Sequence, residues 1–258
     1  MKKTAFALMA ALVILPLSSF AQEASIEDHP SFYVEVSDYG VSTSYLWRGQ
    51  NLGGLNLQGD LSCNYENGDF SASLGTWFVN CFQENIFGPF MSNAYQEWDI
   101  YASAAYKGLS LTLTDYMAAP YFKTGMLKGE GHAVDATLEY CISDDLPLTF
   151  SWSTIFAGGD DVEERPFESI DHRFFSSWFE TSYDFSFGDF PVDFTASVGL
   201  VPWTSPYIDE AEGAHVAWLG LRAGYEIPFS STYGLPVSLT AGFNPTDAAF
   251  LWSFAIGF

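Results

Sequence analysis

The chain has few basic residues: nine lysines and arginines stand against 32 aspartates and glutamates in 258 residues. Proteins bind the phosphates of nucleic acids chiefly through lysine and arginine, so this balance excludes a nucleic-acid partner. It also gives no sign of the cationic loops that flank the spanning helices of inner-membrane proteins. The formal net charge of −23 likewise argues against other polyanionic partners.

Cysteine is equally scarce, with three residues in the whole chain. An odd number cannot pair completely within one chain, and the spacings match no zinc site, redox motif or disulfide framework. We expect Cys63, Cys81 and Cys141 to be packing residues, with a Cys63–Cys81 bridge as the alternative. The sequence predicts no cofactor and no bound metal.

Long apolar runs are absent after the first 21 residues, and we find no convincing helical periodicity of 3.6 residues. The one apolar run, 5–17, follows two lysines and precedes Ser19-Phe20-Ala21, which is the layout of a secretory signal peptide. A membrane anchor is the alternative, although a spanning helix needs about 20 apolar residues. We therefore expect residues 1–21 to be removed on export.

What the chain has in abundance is aromatic side chains, at 18 % of residues, arranged with a period of two. In residues 248–258 large apolar side chains alternate with small ones, which is the side-chain period of a β-strand. The chain ends at Phe258. This ending resembles the last strand of bacterial outer-membrane β-barrels, and the resemblance implies that Phe258 is part of the signal read by their assembly machinery.

The same alternation predicts about twelve strands. They lie near 40–48, 54–66, 69–79, 95–106, 109–118, 132–142, 147–157, 173–187, 191–202, 214–227, 235–243 and 248–258. A soluble sandwich would also alternate. However, short connections follow the even strands and longer ones follow most of the odd strands, which is typical of outer-membrane barrels with short periplasmic turns and longer extracellular loops.

The predicted fold is therefore an all-β, antiparallel, up-and-down transmembrane barrel. We expect a signal peptide at 1–21, a periplasmic lead-in segment at 22–39 and the barrel at 40–258. An even strand number puts both termini at the periplasmic end. The predicted location is the bacterial outer membrane, and the predicted partners are its lipid and lipopolysaccharide, the assembly machinery and small hydrophilic solutes.

Strand parity also assigns the residues that face the lumen. The charged candidates are mostly carboxylates, which would favour cations or polyhydroxyl solutes over anions; the alternative is that the two arginines pair with carboxylates and fill the interior. Charged candidates are Arg48, Asp60, Asp99, Asp135, Glu139, Glu180, Asp184, Asp193, Arg222 and Glu226. Aromatic candidates, which would line a sugar path or simply fill space, are Trp77, Tyr101, Tyr116, Trp178 and Trp218. By the same parity Asp115 points outward, which a bulge or a position above the membrane would resolve.

Three short segments carry a family resemblance. Ser44-Tyr45-Leu46-Trp47-Arg48-Gly49 is followed by Gly75-Thr76-Trp77 and then by Glu97-Trp98-Asp99-Ile100-Tyr101. In order and spacing these resemble the Ser-x-Tyr-x-x-Arg-Gly, Gly-Thr-Trp and Glu-x-Asp-x-Tyr segments of the TorF-like family of bacterial porins. The resemblance covers residues 40–105 and implies a pore-like barrel without naming a substrate.

The predicted function is thus an outer-membrane channel for small hydrophilic solutes and not an enzyme. A non-conducting structural or adhesive barrel is the first alternative. An outer-membrane lipase is the second, because His172 has several serines nearby, although no recognisable motif surrounds it. The acidic stretches 160–164 and 209–212 are expected to be solvated loops, with calcium binding as their alternative.

Overall fold

The computed structural model describes residues 30–82, 95–118, 132–158, 174–206, 208–209, 211–230 and 233–258. Within these ranges the chain forms β-strands and no helix. The strands are β1 (Ser31–Ser42), β2 (Tyr45–Trp47), β3 (Gln50–Gly53), β4 (Asn56–Asn67), β5 (Phe70–Cys81), β6 (Gln96–Tyr106), β7 (Leu109–Met117), β8 (His132–Cys141), β9 (Leu148–Gly158), β10 (Ser177–Ser186), β11 (Asp193–Val201), β12 (His215–Pro228), β13 (Gly234–Asn244) and β14 (Ala249–Gly257).

Twelve of these strands close into an antiparallel barrel in which each strand pairs with its neighbours in the chain, β2 and β3 excepted. The predicted all-β, twelve-stranded, up-and-down barrel is confirmed. The closing pair is short: only Gly40–Ser42 of β1 pairs with Ala255–Gly257 of β14. The amide of Phe258 extends this pairing by donating to the carbonyl of Tyr39 at 2.8 Å.

The two ends of the barrel differ in the length of the connections between their strands. The connections after β4, β6, β8, β10 and β12 are short, whereas those after β1, β5, β7, β9 and β11 are long; only the turn after β13 breaks this pattern. We call these the turn end and the loop end. Because the barrel strands are even in number, β1 begins and β14 ends at the turn end.

The outer wall of the barrel is apolar. Each of the twelve barrel strands exposes a large apolar or aromatic side chain, and we call this set the outer belt. One member from each strand is Val34, Leu61, Leu74, Ile100, Leu111, Leu138, Trp152, Tyr183, Val198, Leu219, Leu239 and Phe254. Serine, threonine, asparagine and carboxylate side chains alternate with them and point inward, as expected for strands whose two faces meet different surroundings.

The first barrel strand lies earlier than the sequence predicts. We expected it at 40–48, preceded by a lead-in at 22–39, but β1 covers Ser31–Ser42. Its alternation is interrupted where the register shifts between Ser37 and Gly40, at a bulge with Asp38 at a φ of 51°. A bulge inserts an extra residue and reverses the parity, so simple period counting misses the first half of the strand.

Two smaller expectations concern single residues. Asp115 does point outward on β7, and the structure satisfies it with His132 of β8, whose Nδ1 lies 3.1 Å from both carboxylate oxygens. All three cysteines are free, so the alternative Cys63–Cys81 bridge is wrong. Cys63 is exposed while Cys81 is buried in the interior, so the two lie on opposite faces of the sheet.

Within the described residues, no helix is long and apolar enough to span a membrane.

Candidate functional site: the interior of the barrel

The connection between β1 and β4 folds back into the barrel. We call residues 43–55 the inner hairpin; its two strands, β2 and β3, pair with each other and form no part of the barrel wall. Its side chains and backbone contact seven strands of the barrel: β5, β6, β7, β8, β12, β13 and β14. The segment 44–48, expected to be the upper half of the first strand, is therefore a lumen-filling element.

A tight turn forms the tip of this hairpin. Trp47 pairs with Gln50, and the two residues between them, Arg48 and Gly49, have φ values of 45° and 77°. Positive φ at both central positions is the requirement of a type I′ turn, whose twist suits a two-residue hairpin. Glycine adopts this region freely, whereas arginine does so at a cost that surrounding contacts must offset.

The contacts that hold Arg48 are electrostatic. Its Nη2 donates to Asp135 Oδ2 at 2.9 Å, and the two side chains are only 8 % and 0 % exposed. The guanidinium also lies 4.6 Å from the ring centre of Trp47 and 5.9 Å from that of Tyr116. Thr137 Oγ1 donates to the other oxygen of Asp135 at 2.8 Å. The alternative in which Arg48 pairs with a carboxylate and fills the interior is the arrangement observed.

Hydrogen bonds fix the rest of the inner hairpin to the wall. The Tyr45 hydroxyl donates to Glu97 Oε2 at 3.0 Å, and Tyr95 donates to the same oxygen at 3.0 Å. On the opposite side, Asn244 Nδ2 donates to the carbonyl of Gly49 at 3.1 Å. Ser253 Oγ donates to the carbonyl of Ser44 at 2.7 Å. The hairpin is thus bonded at its base, along one strand and at its tip.

Aromatic packing fills the space that remains at the loop end. Trp178 and Trp218 are 4 % and 8 % exposed and form a cluster with Val201, Ile208 and Ala217, against which Leu46, Trp47 and Leu251 pack. The two indoles lie flat over inward-facing glycines: a Cβ at Gly199 would overlap Trp178, and one at Gly242 would overlap Trp218. Of the aromatic candidates, these two fill space in the interior.

The three segments behind the family resemblance meet in this part of the interior. Tyr45 on the inner hairpin stacks near Trp77 of β5, with ring centres 5.4 Å apart, and bonds Glu97 of β6. Tyr101, also on β6, lies over Gly75 of β5 and donates to Asp60 Oδ1 at 2.9 Å. Segments whose contacting residues Tyr45 and Glu97 are 52 positions apart in the chain therefore form one contact set on the lumen wall.

The turn end of the interior is more open. A cavity of about 280 Å³ lies beside the tip of the inner hairpin and is lined by Arg48, Glu180 and Arg222, by serine and threonine side chains, and by the apolar residues Leu46, Trp47, Trp218 and Leu221. The remaining charged candidates, Glu139, Asp184, Asp193 and Glu226, point inward from the wall and are exposed. The barrel interior therefore has a filled half at the loop end and a hydrophilic half at the turn end.

The structure separates the charged candidates into two groups. Asp60, Asp99 and Asp135 are buried and hydrogen-bonded, with Asp99 accepting from the amide of Met117 at 3.2 Å. The others either line the cavity, as Arg48, Glu180 and Arg222 do, or are exposed near the turn end, as Glu139, Asp184, Asp193 and Glu226 are. Sequence reasoning missed Glu97, which is 6 % exposed and holds Tyr45. Glu97 shares the inward face of one strand with Asp99 and Tyr101, so the period of two could have identified it.

Of the loop features singled out in the sequence, the structure describes part of the stretch 209–212. His172 and the acidic stretch 160–164 lie outside the described residues. In the stretch 209–212, the carboxylate of Asp209 lies 3.3 Å from His215 Nε2 and accepts from the amide of Ala211 at 2.8 Å. Among the described residues, no group of three or more histidine, cysteine, aspartate or glutamate side chains is arranged to hold a metal ion.

Comparison with known proteins adds no relative: no protein-family model matches the chain, and no curated protein matches it. The function must therefore be argued from the barrel itself.

Proposed function

We propose that this protein is an outer-membrane channel for small hydrophilic solutes whose lumen is occluded by the inner hairpin. The observation that carries the proposal is the outer belt: a closed barrel exposes large apolar side chains from every strand and keeps its polar side chains inside. Soluble monomers rarely expose so large an apolar surface. A closed barrel is also the only sheet that satisfies every backbone group within hydrocarbon.

The proposal includes the route by which the chain reaches that membrane. Residues 1–21 act as the signal peptide, Phe258 contributes to recognition by the assembly machinery, and lipid and lipopolysaccharide contact the outer belt. The turn end faces the periplasm and the loop end faces outward, as in other outer-membrane barrels. We further propose membership of the TorF-like porin family, supported by the three motif segments that meet at the inner hairpin.

The occluded half of the interior decides what kind of channel this can be. Conduction requires solute to pass the inner hairpin, whose tip is held by a buried ion pair. A movable hairpin gives a gated or narrow channel. A fixed hairpin gives the second candidate, a non-conducting structural barrel, and the packed tryptophan cluster around the tip favours it.

A loop-shortened variant distinguishes these candidates. Ser42 and Asn56 are register partners at the ends of β1 and β4, so a two-residue Asn-Gly turn can replace residues 43–55 without altering the barrel wall. Folding of both proteins is checked by heat-modifiable gel mobility before they are placed in planar bilayers. We expect small or rare conductance steps from the wild type and larger, sustained steps from the variant.

Two results would count against this function. If both folded proteins are silent at all salts and voltages, the barrel is structural and the channel proposal is overturned. If both conduct equally, the channel remains but the inner hairpin is not its constriction.

A further inference from the structure

The cavity beside the tip of the inner hairpin collects the rare positive charge of this protein. The chain has nine lysines and arginines, of which the described residues include Arg48, Lys107 and Arg222. Lys107 lies in an exposed turn and pairs with Asp69. Both of the others line the same cavity, although they come from the inner hairpin and from β12. Two of the three basic side chains in the described residues therefore meet at this cavity.

The two arginines are not equivalent. Arg48 is neutralised by Asp135 at 2.9 Å. The side chain of Arg222 points into the lumen from the middle of β12, opposite Thr195 and Thr240, and forms no hydrogen bond or ion pair with any other described residue. Its guanidinium is therefore available to a ligand, and guanidinium groups bind carboxylates through two parallel hydrogen bonds.

A negatively charged side chain, the carboxylate of Glu180, lies in the same cavity. Glu180 points inward on β10, and the one hydrogen bond that its carboxylate forms with a described residue is donated by Trp178 Nε1 to Oε2 at 3.2 Å. The remaining lone pairs of the carboxylate can accept from an ammonium group. Serine and threonine hydroxyls, from Ser182, Thr195 and Thr240 among others, lie between the charged groups and can bond the polar atoms of a ligand.

The surroundings determine the net charge that such a ligand can carry. Carboxylates of Glu139, Asp184, Asp193 and Glu226 lie between the cavity and the turn end of the barrel. A net anion entering there is repelled, because fixed charges lining a narrow path select by sign. A simple cation is repelled at Arg222. A molecule with separated charges and no net charge avoids both penalties.

We propose that this cavity binds a small zwitterion of the α-amino-acid class, with its carboxylate on Arg222 and its ammonium group on Glu180. The volume of about 280 Å³ is at or below the lower end of typical ligand pockets, which fits a molecule of this size. This inference rests on the proposed channel, for which it names the solute class.

The experiment measures binding to the folded protein in detergent micelles by isothermal titration calorimetry. The probes are L-alanine, L-alaninamide, which lacks the carboxylate, and N-acetyl-L-alanine, which lacks the ammonium charge. We expect L-alanine to bind at least tenfold more tightly than either analogue. Arg222→Gln and Glu180→Gln should each weaken L-alanine binding by tenfold or more, whereas Lys107→Gln should leave it unchanged.

The inference is overturned if L-alanine does not bind, if N-acetyl-L-alanine binds equally well, or if neither cavity variant alters the affinity. Its outcome is separate from that of the channel proposal. Charge-dependent L-alanine binding with silent bilayers supports the site and rejects the channel. Conductance without L-alanine binding supports the channel and rejects the site.

Discussion

Replacing Asp135 by asparagine tests whether the buried ion pair keeps the inner hairpin in the lumen. The side chains of Arg48 and Asp135 are 8 % and 0 % exposed, and their charged atoms lie 2.9 Å apart. Asparagine has nearly the same shape: its Oδ1 can still accept from Arg48, and its Nδ2 can donate to the hydroxyl of Thr137, which then acts as the acceptor. The substitution therefore removes the charge while preserving the packing.

The expected magnitude follows from the burial of the pair. Removing one partner of a buried ion pair typically costs about 3–5 kcal/mol, because the other charge is left in the interior without compensation. Since each 1.4 kcal/mol is a factor of ten, the preference of the hairpin for its bound position should fall by roughly 10²- to 4 × 10³-fold. The retained hydrogen bonds place the expected value toward the lower end.

Hydrogen exchange followed by mass spectrometry measures this change directly, through the protection of the amides in residues 43–55. We expect protection of the hairpin to fall by about two orders of magnitude, while that of the barrel strands stays nearly constant. Asp69→Asn is the matched control. Its pair with Lys107 has both side chains 61 % exposed and a separation of 3.5 Å, and exposed pairs contribute about 0–1 kcal/mol.

If the protection of the hairpin changes by less than about threefold, as little as it does in the control, then the ion pair does not hold the hairpin in the lumen. Should Asp135→Asn fail to fold, the double variant Arg48→Met with Asp135→Leu provides a second measurement. It removes both charges together, and apolar replacements of buried pairs are often neutral or stabilising. We expect this protein to retain hairpin protection close to that of the wild type.

Three further predictions address the barrel wall. Leu111→Arg, on the outer belt, should reduce equilibrium folding into lipid vesicles by up to about 2–4 kcal/mol, whereas Thr112→Arg, which points into the lumen, should cost less; equal costs would contradict membrane insertion through this face. Gly199→Ala should lower stability to chemical denaturant by about 1–3 kcal/mol because a methyl group overlaps the indole above it, while Gly224→Ala, where a Cβ has room, should have a smaller effect. Deletion of Phe258 should lower the yield of heat-modifiable barrel in cell envelopes, and an unchanged yield would remove its role in assembly.

The barrel itself was predictable because strand parity is a local property. Residues such as Leu111 and Leu113 alternate with Thr112 and Thr114, and the structure exposes the former while turning the latter inward. The connection lengths, which are also local, favoured an outer-membrane barrel over a soluble sandwich. The predicted bounds of the first strand were wrong, because the bulge near Asp38 in β1 reverses the alternation of inward and outward side chains.

The candidate site was predicted less completely. Parity placed Asp99, Asp135, Glu180 and Arg222 on inward-facing positions, and each does point inward. It also assigned Arg48 to the wall, because the alternation of residues 41–47 continues without a break from β1 into the hairpin. No local pattern distinguishes a strand that continues upward from one that folds back into the lumen.

The sequence alone determined the architecture, because backbone pairing and two-faced burial impose a period of two that can be recognised in nearly every strand, the first half of β1 excepted. Only the tertiary structure decided whether the interior is open. That depends on which side chains meet across the lumen: Arg48 reaches Asp135, 87 residues away, and Asn244 reaches Gly49, 195 residues away. Contacts of this range are set by the closure of the sheet and the volumes of the side chains it encloses, and no stretch of sequence contains them.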